Sequence, residues 1–179
     1  MHVVPPPHLD EHATVIAAEA DDVWRGLCAE LERSFSRVPA AVYARLVGAD
    51  DTRSAGPRPL AEGSAFPGFR VLVASPGEQL TLQGRHRFSS YLLIFRLEPD
   101  GPGRTRLRAE SRAAFPGRAG RAYRRVVFGS GGHAVGMRRL LAGVRRASER
   151  PGRCTVGCPW YAYRLPDPPL PRKRPSGPF

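Results

Sequence analysis

His86, Tyr91, Ser111 and His133 are the side chains whose types and positions could do chemistry on a bound organic molecule. His86 lies in phase with Leu80 and Leu82 on an alternating run, so if those leucines face inward the imidazole does too. An imidazole titrates near neutrality, and facing an apolar interior it could act as acid or base on a carbonyl compound. The competing reading is a satisfied histidine near a strand end. Tyr91 and Ser111 each bring a hydroxyl donor. Glu62 or Glu78 could orient His86, although nothing in the chain places them together. His133 could touch a ligand or simply open a helix.

Trp24, Phe69, Phe95, Phe115 and Met137 are the large apolar side chains that would fill a core or line a pocket for a nonpolar ligand. Complete catalytic motifs are missing: there is no glycine-rich phosphate loop, His-Glu-x-x-His pattern or nucleophile elbow. His8 and His12 stand four apart, but His8 follows a proline-rich segment rather than a helix. Cys154 and Cys158 are spaced C-x3-C without a second pair, whereas a structural zinc takes four ligands. No metal site and no cofactor are therefore expected. Cys28 falls on the apolar stripe of a helix and reads as a small core residue.

The elements that must position these residues follow from periodicity. Residues 12–18 read as a strand, and a helix follows to about Arg33, capped by Asp21 or Asp22, with Val23, Trp24, Leu27, Cys28 and Leu31 on one stripe. Residues 38–47 fit a short helix or a strand, and residues 48–64 a loop. The period then becomes two. Runs 69–74, 78–87, 88–98 and 103–115 are separated by turns too short for crossover helices, which predicts an antiparallel meander. In the first run Phe69, Val71 and Val73 alternate with Arg70, Leu72 and Ala74. In the last, Thr105, Leu107, Ala109, Ser111, Ala113 and Phe115 share one face and Arg104, Arg106, Arg108, Glu110 and Arg112 the other, as in a sheet covered on one side only.

Residues 118–149 return to helical spacing, with a break at the glycines of 129–132 and a better helix restarting near His133. Each glycine in a helix interior costs about 1 kcal/mol. A sheet with one polar face needs a cover on the other, and this helix is the only element that looks long enough. The prediction is an α+β domain over residues 10–149, a curved antiparallel sheet around a long C-terminal helix.

The order of these elements and a few local strings resemble the START-like, polyketide-cyclase-related (SRPBCC) superfamily. The strings are Val-Ile-Ala-Ala-Glu-Ala-Asp-Asp-Val-Trp within residues 12–31, Gly103-Arg104-Thr105-Arg106-Leu107 at the entry to the last strand, and the helix His133 to Ala147. The resemblance covers about residues 12–149 and implies a helix-grip fold with a cavity between sheet and helix. The glycine cluster departs from that family's continuous helix. The family includes carriers of lipids and other hydrophobic ligands as well as aromatic polyketide cyclases, and it has no universal catalytic signature. It therefore implies binding of a small hydrophobic molecule, lipid or polyketide-like, with Trp24, Phe69, Tyr91, Phe95, Ser111, Phe115, His133 and Met137 as cavity candidates. An aromatase- or cyclase-like reaction at His86 is the alternative.

Charge offers a third function class. The net charge is +12, and residues 85–179 hold 21 basic residues against five acids while residues 1–84 hold seven against eleven. Arg104, Arg106, Arg108, Arg112, Arg121 and Arg125 could neutralise a polyanion such as nucleic acid. Yet 27 of the 28 basic residues are arginine, beside abundant Ala, Gly and Pro, which is also the imprint of a GC-rich genome. Residues 150–179 form a Pro/Arg-rich tail, with Trp160, Tyr161 and Tyr163 able to pack back and disorder expected after Pro166. No apolar run approaches membrane-span length, the N-terminus lacks a secretion signal and the cysteines do not form a disulfide pattern, so a cytoplasmic setting is expected.

Overall fold

The computed structural model describes residues 5–149. Six strands form one antiparallel sheet in the order β1-β6-β5-β4-β3-β2, with β1 His8–Ile16, β2 Ala65–Phe66, β3 Phe69–Ser75, β4 Gln79–His86, β5 Ser89–Pro99 and β6 Thr105–Ala114. The meander expected from the short turns runs from β3 to β6. β1 joins the far edge beside β6. It begins and ends earlier than the predicted 12–18, because it pairs with the full length of β6 from His8↔Arg112 to Ile16↔Thr105.

Alternation holds on β5 and β6, where Leu93, Phe95, Leu97, Leu107 and Ala109 are buried in the core. It fails on β3. The register there skips Leu72 between Val71↔Leu82 and Val73↔Thr81, so Ala74, opposite Leu80, turns inward in place of Val73. A one-residue bulge reverses every side chain beyond it.

Among the described residues four helices pack with the sheet: α1 Ala20–Phe35, α2 Val38–Val47, α3 Gly117–Val127 and α4 Gly132–Ser148. Asp21 and Asp22 are not caps. The N-cap is Glu19, and the two aspartates sit in the first turn, where their charge suits the helix dipole. The undecided segment 38–47 is helical, with a proline in its first turn and Gly48 in the left-handed conformation closing it. The C-terminal helix breaks at the glycine cluster, with Gly131 at φ 71° directly before α4.

The cover over the sheet differs from the expectation of a single closing helix. α1 lies against β5, β6 and α4, while α4 also reaches β1. Val23, Trp24, Leu27 and Leu31 of α1 meet Met137, Leu140, Leu141 and Val144 of α4 in one buried cluster with the inward residues of the sheet. Each fully buried Val, Leu or Phe there contributes about 1.5–3 kcal/mol. α1 can share the task because its apolar stripe is as long as that of α4.

Candidate functional site

The same inward faces that build the core at one end of the sheet line a cavity at the other. On β5, Phe95 and Leu97 are in solid core, whereas Ser89 and Tyr91 line open space, with Leu93 at the boundary. On β6, Leu107 and Ala109 are core, and Ser111, Ala113 and then Phe115 face the cavity. His86 of β4 completes the sheet wall, and Tyr43, Ala44 and Val47 of α2 with Tyr123 and Val127 of α3 form the opposite side. The volume is about 290 Å³. It exists because α1 and α4 lie flat over the core end and reach the cavity only with their tips, at Phe35 and His133. On the N-terminal side of the break at Gly131 the chain runs as α3, of which only Gly120 is buried.

Polar groups stand at separate places on the wall. His86 is buried, and its Nδ1 accepts the backbone N–H of Phe88 at 3.1 Å. A ring nitrogen that accepts cannot carry the proton, so in neutral His86 the proton is on Nε2. Burial lowers the pKa of His86, which favours that neutral form. The ring lies edge-on to Tyr123 at 4.9 Å and 5.5 Å from Tyr91 between centroids. Neither Glu62 nor Glu78 orients it; the backbone turn between β4 and β5 does.

Tyr91 donates its hydroxyl to the carbonyl of Gly68 at 2.6 Å. Gly84 makes this possible, since a Cβ there would stand 2.2 Å from both the Tyr91 ring and the Gly68 oxygen. The hydroxyls of Tyr43 and Tyr123 bond to each other and tie α2 to α3. Burial pushes the phenols of Tyr91 and Tyr123 above the usual tyrosine range, so both remain donors at neutral pH. Ser89 Oγ is buried without a hydrogen-bond partner among the described residues.

The third polar place lies toward the β1 edge of the sheet. Ser111 Oγ is 3.0 Å from His133 Nε2, and the same nitrogen is 3.4 Å from Asp10 Oδ1. Asp10 Oδ2 is 3.4 Å from His12 Nε2. His133 packs on the Phe128 ring with centroids 4.5 Å apart.

Of the candidates, His86, Phe69, Tyr91, Ser111, Phe115 and His133 line the cavity. Trp24, Phe95 and Met137 do not: each is buried in the solid core. Their stripes are right, but they lie at the end of the sheet that α1 and α4 cover. Cys28 is also core, and burial pushes its thiol up to about 12, which leaves it no reactive thiolate at neutral pH. The sequence pattern does not mark Tyr43, Tyr123, Ser89 or Asp10 as site residues. Only an out-of-place polar residue on an otherwise apolar inward face, as at Ser89, could have signalled them.

The strand arginines are engaged with carboxylates. Arg104 and Arg106 pair with Asp100 at 3.6 and 2.7 Å, Arg108 with Glu11 at 2.8 Å and Glu98 at 3.3 Å, and Arg112 with Glu110 at 2.6 Å. Arg96 and Arg112 hold the Glu110 carboxyl below the usual carboxylate range. Much of the charge that a polyanion would use on that face is thus already balanced. Arg121 and Arg125 lie exposed on α3. Among the described residues, no group of three or more His, Cys, Asp or Glu side chains is arranged to hold a metal ion, and no helix is long and apolar enough to cross a membrane. Cys154, Cys158, the tail aromatics and the basic end of the tail lie outside the described residues.

The chain is similar to solved structures of low sequence identity, and at a TM-score of 0.50 the likeness extends to the fold. Norcoclaurine synthase from Thalictrum flavum, solved in complex with dopamine and hydroxybenzaldehyde, matches with a TM-score of 0.50 and 12% identity over 82% of this chain and 91% of that one. CalU16 from Micromonospora echinospora matches with a TM-score of 0.49 and 17% identity over 78% and 74%. Protein CV1439 from Chromobacterium violaceum matches with a TM-score of 0.47 and 12% identity over 79% and 96%. The chain has a helix-grip fold. No family model and no curated protein matches the sequence.

Proposed function

We propose that this protein binds a small, mostly apolar organic molecule, of lipid or polyketide-like character, in the cavity between the sheet and the helices. The observation that carries this reading is the abrupt end of the core. The sheet keeps its inward-facing pattern past Leu93, but its partners there are empty space and a few isolated hydrogen-bonding groups. Apolar walls with sparse, separated polar groups are the usual make-up of a small-molecule site. The helix-grip fold is also that of norcoclaurine synthase, whose structure holds two small aromatic molecules.

The test is displacement of a hydrophobic fluorescent probe by candidate lipids and aromatic polyketides. The control is Ala113→Phe, which places a ring in the cavity from the middle of its sheet wall. Saturable binding lost in Ala113→Phe at unchanged far-UV circular dichroism supports the reading. Binding that is absent in the parent protein, or unchanged in the variant, refutes it.

A second reading, chemistry on a ligand carbonyl at His86, has one observation in its favour: a buried imidazole whose Nε2–H has no partner among the described residues. In this reading His86 polarises a carbonyl oxygen as a neutral donor, because its Nδ1 is committed to Phe88. His86→Gln, which keeps a donor, should then retain more turnover of an aromatic carbonyl substrate than His86→Phe.

A further inference from the structure

The two cavity histidines are built for opposite tasks. Nδ1 of His86 is occupied by a backbone N–H, which leaves a donor for a ligand. At His133 the nitrogen that meets the cavity-lining hydroxyl, Nε2, is flanked by Ser111 Oγ at 3.0 Å and Asp10 Oδ1 at 3.4 Å. Asp10 Oδ1 is buried and receives no hydrogen bond from the described residues. If Nε2 is bare, Ser111 donates to it and the carboxylate oxygen faces a lone pair. If Nε2 gains a proton, the aspartate gains the positive partner it lacks. His12 faces the other oxygen of Asp10, so the aspartate stands within ion-pair distance of both histidines. The cluster is assembled from β1, β6 and the first turn of α4, a span of more than a hundred residues in sequence.

We infer that His133 is a proton acceptor for a weakly acidic hydroxyl, phenolic or enolic, on the cavity ligand, with Asp10 as its positioning residue and Ser111 as the donor to the resulting oxyanion. This rests on the cavity being a ligand site. The step is a proton transfer: the ligand O–H bond breaks, an N–H bond forms at His133 Nε2, and the imidazolium is held by Asp10. The Ser111 hydroxyl, no longer donating to Nε2, turns its hydrogen to the oxyanion. The proton returns to the ligand on release, so no other reagent is needed. His86 does not share this group. Ser111 pairs with Leu93, four residues along β5 from Ser89, the partner of His86, which separates the two places by roughly 13 Å along the strand direction. The inferred ligand is therefore polar at two ends, with an acceptor for His86 and an acidic hydroxyl for His133.

The experiment compares 4-nitrophenol with 4-nitroanisole, its methyl ether, on the full chain. Both should displace the fluorescent probe. Bound 4-nitrophenol should show the phenolate band at lower pH than the free compound, by about one pH unit or a tenfold change in ionisation. His133→Gln should abolish that shift while 4-nitroanisole still binds. Asp10→Asn should reduce it, and Ser111→Ala, the least disruptive change, should reduce it as well. A shift that is absent from the parent protein, survives in His133→Gln, is unmoved by both Asp10→Asn and Ser111→Ala, or is lost in His86→Gln but kept in His133→Gln overturns the inference. If neither compound displaces the probe although lipids do, the acidic-hydroxyl class is wrong and the cavity reading stands; if nothing displaces it, both fail.

Discussion

The two ends of the sheet share strands, alternation and antiparallel pairing, yet one is solid and the other hollow. At the solid end Phe95, Leu97 and Leu107 meet the stripes of α1 and α4. At the hollow end Tyr91, Ala113 and Phe115 look toward α2 and α3, helices that lean across the opening and are held to each other by the Tyr43–Tyr123 hydroxyl pair. α2 even keeps Val38 and Leu46 about three-quarters exposed (76% and 75%), so much of its apolar surface is not spent on the core. The difference teaches that a strand's inward face becomes core or cavity according to what crosses above it. Stability concentrates where helices with long apolar stripes lie flat, and binding capacity appears where the cover is short and tethered at points.

The largest expected effect would break this contrast if it failed. Phe95→Ala should destabilise by about 3–5 kcal/mol, the usual cost of emptying a packed aromatic site. Phe115→Ala, at a site already open on one side, should lose clearly less in the same denaturant titration. Equal losses would mean that the hollow end is as tightly packed as the other.

An intermediate effect is expected at Gly84. Gly84→Ala forces a methyl group into the Tyr91 ring and the Gly68 carbonyl, and overpacking of this kind costs about 1–3 kcal/mol. Because the displaced ring belongs to the cavity wall, probe affinity should fall together with stability. Unchanged affinity would remove Tyr91 from the site.

The smallest effect is in the pH profile. Burial lowers the folded-state pKa of His86 from its ordinary 6.5, so below that value the unfolded chain binds more protons at this residue than the folded chain does. The stability tied to the neutral ring is complete above pH 6.5 and is lost as the pH falls from there through the folded-state pKa. His86→Gln should therefore lose less melting temperature than the parent over that acidic range. Parallel curves would show that His86 is not held in its neutral form.

Much of the fold was legible because it follows from local rules. The turns at 75–78 and 100–103 confined β3 to β6 to a meander, and the glycines of 129–132 marked the division between α3 and α4. The alternation on β6 already put Ser111 and Phe115 on one face with Leu107. Where a local rule met a pairing constraint, pairing won: β1 took its length from β6, and the bulge at Leu72 exchanged Val73 for Ala74. The same stripe argument made Trp24, Phe95 and Met137 look equivalent to Phe69, Tyr91 and Phe115, because periodicity assigns a face and says nothing of height along it.

By itself, then, the sequence determined which residues face inward wherever no bulge intervenes, where the helices break and that the sheet is antiparallel, since each of these depends on neighbours a few residues away. Tertiary structure alone decided the rest. It placed α1 beside α4 and left the far end open, and it committed Nδ1 of His86 to a backbone donor. It also brought Asp10 to His133 across the sheet edge. These outcomes depend on how whole elements stack and on contacts between residues far apart in the chain, which no local period encodes.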